Sequence, residues 1–560
     1  MSALVNSMQD LDTISKRLKY LSEAAPEKEL FVFYSEDGRR ALTALEVYQM
    51  SGRFANRLKQ EGFQRHDVVC NTLPNSPERV ITDLGILFAG CTPMNAHALL
   101  ADGSDLFHVL KVSKCRAVIV SDEANSNAHK VLQPFCKSDS PHVFNALHHK
   151  DLPSLTSTIV VSRKSEWSRP AFLDLVRSPD LETFVETVGP SDLAMIFCTS
   201  GSTGYSKLVA RTHTEVFQLN IAWSLKMNPG QSVSHPLENT EKRFDDRQLG
   251  WIGGYPWATF SNGDSRVLLD VFQKPCSVKV KWDACIKEKC VTLSLFSREV
   301  DPVFTYASSQ GTLGQKMVII TGGQPLPKPQ LSKMLKLADE IFLAYGSTEV
   351  MFVSTLFIRD GDYEPFNCGK TGPECEVKVV NASGEVCGPK EFGTIYVRGQ
   401  FVLKKYFNQL DEPGQQTTKA FTSDGWFNMD DYGCLDEDGR LFVVGRNNDV
   451  IMYGAFVVYP GWIEKKILEH PEIHDVFVVP VSDPELYHRI CACVKLSAGS
   501  QLTTEDLRRY IDSLFSTTQR EMTPVPDFIM LLKDLPVTNT GKPSRTEIRQ
   551  MAEEKFGNKS

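Results

Sequence analysis

The chain has 560 residues, 42% of them hydrophobic and 23% charged, and carries a formal net charge of −8. That length makes more than one domain with a sizeable core, and the acidic balance argues against a nucleic-acid binder held by a basic surface. Fourteen cysteines occur without a C-x-x-C pair, which argues against a zinc ribbon or a thioredoxin-type site.

No run of eighteen apolar residues occurs, so a membrane span is not expected. The first residues, with Asp10 and Asp12, lack the apolar core of a signal peptide, and the last three, Asn-Lys-Ser, are not the Ser-Lys-Leu address. The expected location is the cytosol.

In chain order, Leu30-Phe-Val-Phe-Tyr34 and Ala41-Leu-Thr43 flank Glu36-Asp-Gly38 and predict a hairpin over residues 28–45. A helix through Leu58 follows, then a strand over Val68-Val-Cys-Asn-Thr-Leu73. Asn75-Ser76 can cap the next helix, with Pro77 in its first turn and Gly90 at its end. Ala117-Val-Ile-Val120 is another strand, and this succession points to a parallel, doubly wound sheet. Residues 134–157 read as an irregular excursion. A second α/β unit is expected from about 190 to 360, with the polar run 231–248 as a solvated loop. From 370 to 447, short runs such as Glu376-Val-Lys-Val-Val380, Thr394-Ile-Tyr-Val397 and Leu441-Phe-Val-Val444 predict a small β-barrel or sheet subdomain. Beyond Arg446 the texture is that of a compact α+β domain. Its strands are Val476-Phe-Val-Val479 and Ile490-Cys-Ala-Cys-Val494, and Thr503 or Thr504 caps a helix through Phe515. Alternation of Cys491 and Cys493 along a strand predicts buried free thiols in a reducing compartment.

The segment with the most chemistry is Cys198-Thr-Ser-Gly-Ser-Thr-Gly-Tyr-Ser-Lys207, which follows the buried strand Leu193-Ala-Met-Ile-Phe197. Thr199, Ser200, Ser202 and Thr203 supply hydroxyl donors, Gly201 and Gly204 let backbone N–H groups close around an anion, and Lys207 supplies countercharge. A triphosphate suits this loop, although its spacing is not G-x-x-x-x-G-K-[ST]. Two further strands, Val318-Ile-Ile320 and Ile341-Phe-Leu-Ala344, end in Gly-containing turns, where ligands of open α/β sheets bind.

Taken in order and spacing, these motifs resemble the adenylate-forming superfamily of acyl-CoA synthetases, adenylation domains and beetle luciferases, most closely medium-chain or aryl acyl-CoA ligases. The resemblance spans the whole chain. It matches Thr199 to Lys207 to a phosphate loop and Gly323, Gln324 and Pro325 to an adenine wall. Tyr345-Gly346-Ser347-Thr348-Glu349 matches the aromatic-Gly-x-Thr-Glu motif. Asp424-Gly-Trp-Phe-Asn-Met-Asp-Asp431 ends in a ribose aspartate, with Asp430 as its bland neighbour. Gly445-Arg446 precedes a hinge at Asn448, and Pro536-Val-Thr-Asn-Thr-Gly-Lys-Pro-Ser-Arg545 carries a catalytic lysine, Lys542.

The resemblance implies an N-terminal AMP-binding domain over residues 1–447, made of two doubly wound α/β subdomains plus a β-subdomain. A small mobile α+β lid over 448–560 completes the expected fold. It implies ATP, Mg²⁺ and CoA as cofactors, and a small-molecule acid as substrate, activated to acyl-AMP with loss of pyrophosphate and then transferred to CoA. Lys542, Glu349 and Thr348 are the implied catalytic groups, with Mg²⁺ on Glu349, and Asp431 and Arg446 on the ribose. Trp251, Tyr255 and Gly346 are assigned to the acyl pocket. In acetyl- and propionyl-selective relatives a tryptophan fills the position of Gly346, so acetate is a poor candidate here. Departures occur at Tyr205-Ser-Lys-Leu208, at Asn448, and at Gly454-Ala455, where a glycine normally lies against pantetheine. They leave open a non-CoA acceptor (a carrier-protein thiol, an amine or oxygen) and a catalytically weakened nucleotide- or acyl-binding homologue.

Overall fold

The computed structural model describes the chain apart from residues 1–10, 97–102, 124–125, 137–142, 165–170, 200–204, 219–236, 238–239, 324–325, 373, 408–414, 450, 454–455, 459, 484–486, 515–524, 538–542 and 558–560. Among the described residues the strands form three sheets. Edge to edge, the seven-stranded sheet runs Phe144–Ala146, Ser157–Val161, Ala117–Ser121, Val68–Asn71, Thr92–Asn95, Leu193–Thr199 and Lys207–Thr212. Its five central strands are parallel and its two edges antiparallel.

A thirteen-stranded sheet begins with the hairpin of Gly38–Thr43 and Glu29–Ser35, and its parallel part then runs Ser265–Leu269, Lys242–Phe244, Thr292–Ser294, Gln315–Gly322 and Ala338–Ser347. From Met351–Ile358 it continues antiparallel through Asn367–Thr371, Arg440–Arg446, Phe427–Leu435, Gly393–Gly399 and Cys375–Val380. The expected β-subdomain is therefore an extension of the larger sheet, joined where Asn367 and Lys370 pair with Phe442 and Arg440.

Helices Ala44–Gln60 and Pro77–Phe88 knit the two large sheets into one core. Phe54 and Leu58 of the first, and Ile81 and Leu84 of the second, share it with Phe31 and Phe33 of the larger sheet and Val69 and Ile119 of the smaller. Each such side chain removed from water stabilises the fold by about 1.5–3 kcal/mol. The first helix starts at a capping box, Glu46 N–H donating to Thr43 Oγ1 (3.2 Å) and Thr43 N–H to Glu46 Oε2 (3.0 Å). Ser76 caps the second through Arg79 N–H (3.1 Å), with Pro77 in the first turn as expected.

Two expectations need correction. Within 134–157 a short strand, Phe144–Ala146, pairs antiparallel with Ser157–Val161 and closes the sheet edge. The polar run 231–248 contains Lys242–Phe244, a strand well inside the larger sheet with Phe244 fully buried. Its charges hid it, because they are neutralised locally. Arg243 Nε donates to Asp264 at 2.8 Å, and Arg247 grips Asp245 with Nε and Nη2 at 2.9 and 2.8 Å. Paired, hydrogen-bonded charges can be buried where isolated ones cannot. Residues 231–236 and 238–239 of that run lie outside the described residues.

A five-stranded sheet of Ile451–Tyr453, Phe456–Val458, Ile473–Asp483, Tyr487–Leu496 and Phe528–Leu531 forms the C-terminal α+β unit. Helices Pro460–Ile467, Thr504–Leu514 and Arg545–Phe556 belong to it. Thr503 is the cap of the middle helix, accepting from Asp506 N–H at 3.2 Å; Phe515 lies outside the described residues. Cys491 and Cys493 are buried free thiols with sulfurs 3.7 Å apart. Among the described residues no helix is long and apolar enough to cross a membrane.

Candidate active site

The site forms at the carboxyl end of Ala338–Ser347, where the parallel part of the large sheet meets its antiparallel extension. Tyr345, near the end of that strand, donates its hydroxyl to Asp431 Oδ2 at 2.5 Å. Burial first, and then the charge of Asp431, push the phenol well above its usual range, so it stays protonated as a donor. Asp431 and Arg446 face one another in register across the antiparallel pair, with Arg446 Nε 3.0 Å from Asp431 Oδ1 and Arg446 Nη1 on the Met429 carbonyl. Of the two adjacent aspartates, Asp431 is the one that meets both Tyr345 and Arg446, and it is buried.

Beyond Ser347 the chain turns, and a second group gathers on Glu349. Tyr406 donates its hydroxyl to Glu349 Oε1 at 3.3 Å, and Lys207 Nζ lies 5.0 Å from the centre of the Tyr406 ring. Arg211, fully buried two turns of alternation along the strand from Lys207, holds this turn from behind. Its Nη2 donates to the Thr348 and Glu349 carbonyls (2.9 and 3.0 Å), and its Nη1 to the Phe401 carbonyl (2.9 Å). Arg211, Tyr406 and Phe401 were not legible as site residues, since an arginine in a strand reads as surface charge. The Ser347 hydroxyl is buried without a hydrogen-bond partner among the described residues. An orphaned donor between these two groups fits a polar ligand.

Thr199 and Lys207 are register partners at the base of a hairpin whose residues Ser200, Gly201, Ser202, Thr203 and Gly204 lie outside the described residues. The unusual Tyr205-Ser206 step is anchored: Ser206 donates through N–H and Oγ to the two Asp105 oxygens, both at 2.7 Å, and Tyr205 stacks on His108 at 4.5 Å. Leu208 is buried in the adjoining core. Gly323 has φ +77°, a value that favours glycine, while Gln324 and Pro325 lie outside the described residues.

A cleft adjoins the site; Tyr255, Trp257, Ile320, Met351 and Phe352 line one end of it. Met351 and Phe352 pair in register with Ser347 and Gly346, which puts this end beside the site. Trp251 packs edge-on against Phe296 at 6.5 Å and is not a lining residue. Gly346 is a point of close approach between strands: an added Cβ would sit 1.7 Å from the Met351 carbonyl oxygen. The glycine is thus required by backbone packing.

Asn448 falls in a short 3₁₀ turn, Asn447–Asp449, that leaves the large sheet, with Asp449 3.5 Å from Arg545 of the last helix. Arg545 also forks onto Glu464 at 2.7 and 2.8 Å. Gly454, Ala455 and Lys542 lie outside the described residues.

Comparison with known proteins bears on this geometry. The family model described as AMP-binding enzyme matches residues 20–407, and that described as AMP-binding enzyme C-terminal domain matches 462–542. The chain belongs to the AMP-binding enzyme family. It is similar to the medium-chain acyl-CoA ligase ACSF2, mitochondrial, of Bos taurus, at 23% identity over 97% of this chain and 88% of that one. It is also similar to a salicylyl-CoA synthase / salicylate adenylyltransferase of a Streptomyces species, at 25% identity over 92% of this chain and 90% of that one. ATP-bound MatB from Rhodopseudomonas palustris shares its fold with a TM-score of 0.76, 19% identity, and coverage of 97% of this chain and 99% of that one. So does the o-succinylbenzoate CoA synthetase MenE of Bacillus subtilis in complex with its acyl-adenylate, at 0.74, 21%, 95% and 97%. The chain is an AMP-forming ligase by these relationships, with the acyl-CoA synthetase-like fold.

Proposed function

We propose that this AMP-binding enzyme activates a medium-chain or aryl carboxylic acid with ATP, giving acyl-AMP and pyrophosphate, and then transfers the acyl group to CoA. One observation carries the reading: Tyr345–Asp431–Arg446 before Ser347, and Glu349–Tyr406–Lys207 after it, meet at one strand end. The first set suits a ribose, since a carboxylate can accept from paired hydroxyls while Tyr345 and Arg446 fix its orientation. The second suits phosphates, with Lys207 at the base of a hydroxyl- and glycine-rich loop.

In the first step a carboxylate oxygen attacks the α-phosphorus and the bond to pyrophosphate breaks. Two anions must approach, so a cation is needed between them in the transition state, and Lys542 is assigned that task. The Thr348 hydroxyl donates to the α-phosphate. Glu349 offers a carboxylate to Mg²⁺; a single carboxylate completed by phosphate oxygens suits this ion, and no cluster of three His, Cys, Asp or Glu occurs among the described residues. When bound, Mg²⁺ neutralises charge on the departing pyrophosphate. In the second step the unit beyond Asn448 swings, the CoA thiolate attacks the acyl carbonyl past Gly454 and Ala455, and AMP leaves with the electron pair.

The test supplies ATP, Mg²⁺ and a panel of acids, with and without CoA, and follows AMP and thioester by mass spectrometry. Expected are AMP and acyl-CoA in equal amounts for medium-chain or aryl acids, and little of either with acetate. AMP release that leaves CoA untouched contradicts the thiol acceptor and moves the acyl group to a carrier protein, an amine or oxygen.

A further inference from the structure

Among the apolar walls of the cavity, its far end carries a group of polar side chains. Arg243, Thr292 and Arg266 stand side by side in register on three neighbouring strands of the large sheet, and all three line the cavity. Ser294, two residues beyond Thr292 and so on the same sheet face, sits beside Ile320. Its hydroxyl is buried, lines the cavity and has no hydrogen-bond partner among the described residues. Arg247 adds a third guanidinium to the lining.

The acceptors nearby are already engaged. Asp245 is gripped by Arg247, and Asp264 accepts from Arg243 Nε and Glu241 N–H. Arg266 spends its Nε and Nη2 on the Asp245 and Arg247 carbonyls. The arginines spend Nε and Nη2 on these partners, so Nη1 donors remain along the lining beside the unpartnered Ser294 hydroxyl. Arg243 Nη2 pairs with Glu241, so the three guanidiniums meet three carboxylates and the wall is close to neutral; with every carboxylate engaged, a cationic guest would find no free acceptor. The Ser294 strand lies two strand spacings from the strand bearing Gly346, roughly 10 Å, so whatever it recognises is remote from the reacting carboxylate.

We infer that this cavity end is a distal subsite for an anionic oxygen group, so that the preferred acid is a medium-length dicarboxylic acid or an aryl acid bearing a second acidic substituent. Ser294, Thr292 and the Nη1 groups of Arg243, Arg247 and Arg266 donate to it. The inference rests on the proposed adenylation of a carboxylic acid and specifies what that acid carries at its other end.

The experiment measures acid-dependent pyrophosphate release by the full chain with three acids of equal carbon number: the α,ω-dicarboxylic acid, its monocarboxylic counterpart and the ω-hydroxy acid. The dicarboxylic acid should exceed the monocarboxylic acid in kcat/KM by roughly tenfold or more, the worth of one charge-assisted hydrogen bond. Ser294→Ala and, independently, Thr292→Val should each shrink that ratio by several fold. Equal or better turnover of the monocarboxylic acid overturns the subsite and leaves adenylation standing. A gain with the ω-hydroxy acid as large as that with the dicarboxylic acid overturns the anionic assignment. Silence with all three acids and with the wider panel overturns adenylation, and the subsite with it.

Discussion

Replacing Lys542 with alanine should lower acid-dependent pyrophosphate release by about 10²–10³-fold, the usual loss when one preorganised charge-stabilising group is removed from a transition state. Thioester formation from supplied acyl-AMP should change little in the same variant. The asymmetry follows from charge. Adenylation drives a carboxylate against a phosphate, two anions that attract only through a cation between them. Thiolysis expels AMP from a mixed anhydride that is already activated. A lysine presented by a unit that moves between the two steps matters to the first alone. Comparable loss in both half-reactions would contradict the role assigned to Lys542.

Arg211→Met should combine a stability loss with a catalytic one. The guanidinium is buried and holds the carbonyls of Thr348, Glu349 and Phe401. Leu403 N–H also donates to the Glu349 carbonyl at 2.7 Å, so that oxygen keeps a partner, whereas Thr348 and Phe401 lose theirs. The Phe401 carbonyl left buried costs about 1–3 kcal/mol and the part-buried Thr348 carbonyl less, offset in part because burial itself works against the arginine charge and lowers its pKa. The thermal midpoint should fall by several degrees. Because the turn carries Glu349, pyrophosphate release in the protein that remains folded should fall by tenfold or more, a misplacement effect. An unchanged midpoint with unchanged turnover would show that the turn is held by other contacts.

Much of this architecture was legible in the residues. The first hairpin, the helix capped at Ser76, and the strands through Val318–Ile320 and Ile341–Ala344 follow from turn chemistry, caps and apolar runs, which are local signals. The candidate site was legible through its motif residues Tyr345, Asp431 and Arg446, whose contacts join strands far apart in sequence. What escaped were positions at which a charge is buried beside its partner. Lys242–Phe244 looked like solvated loop because Arg243, Asp245 and Arg247 are polar, yet each is neutralised by a neighbour and the strand sits within the sheet. Arg211 was missed for the same reason, its acceptors being backbone carbonyls that no sequence displays. Gly346 was read as room for substrate, whereas the Met351 carbonyl occupies the space next to it.

The most direct test of the account is the exchange of labelled pyrophosphate into ATP by the full chain, measured with and without an acid and in the absence of CoA. Reversible formation of acyl-AMP predicts label in ATP that depends on the acid and needs no thiol. Exchange that proceeds equally without any acid, or that appears only once CoA is added, would contradict it.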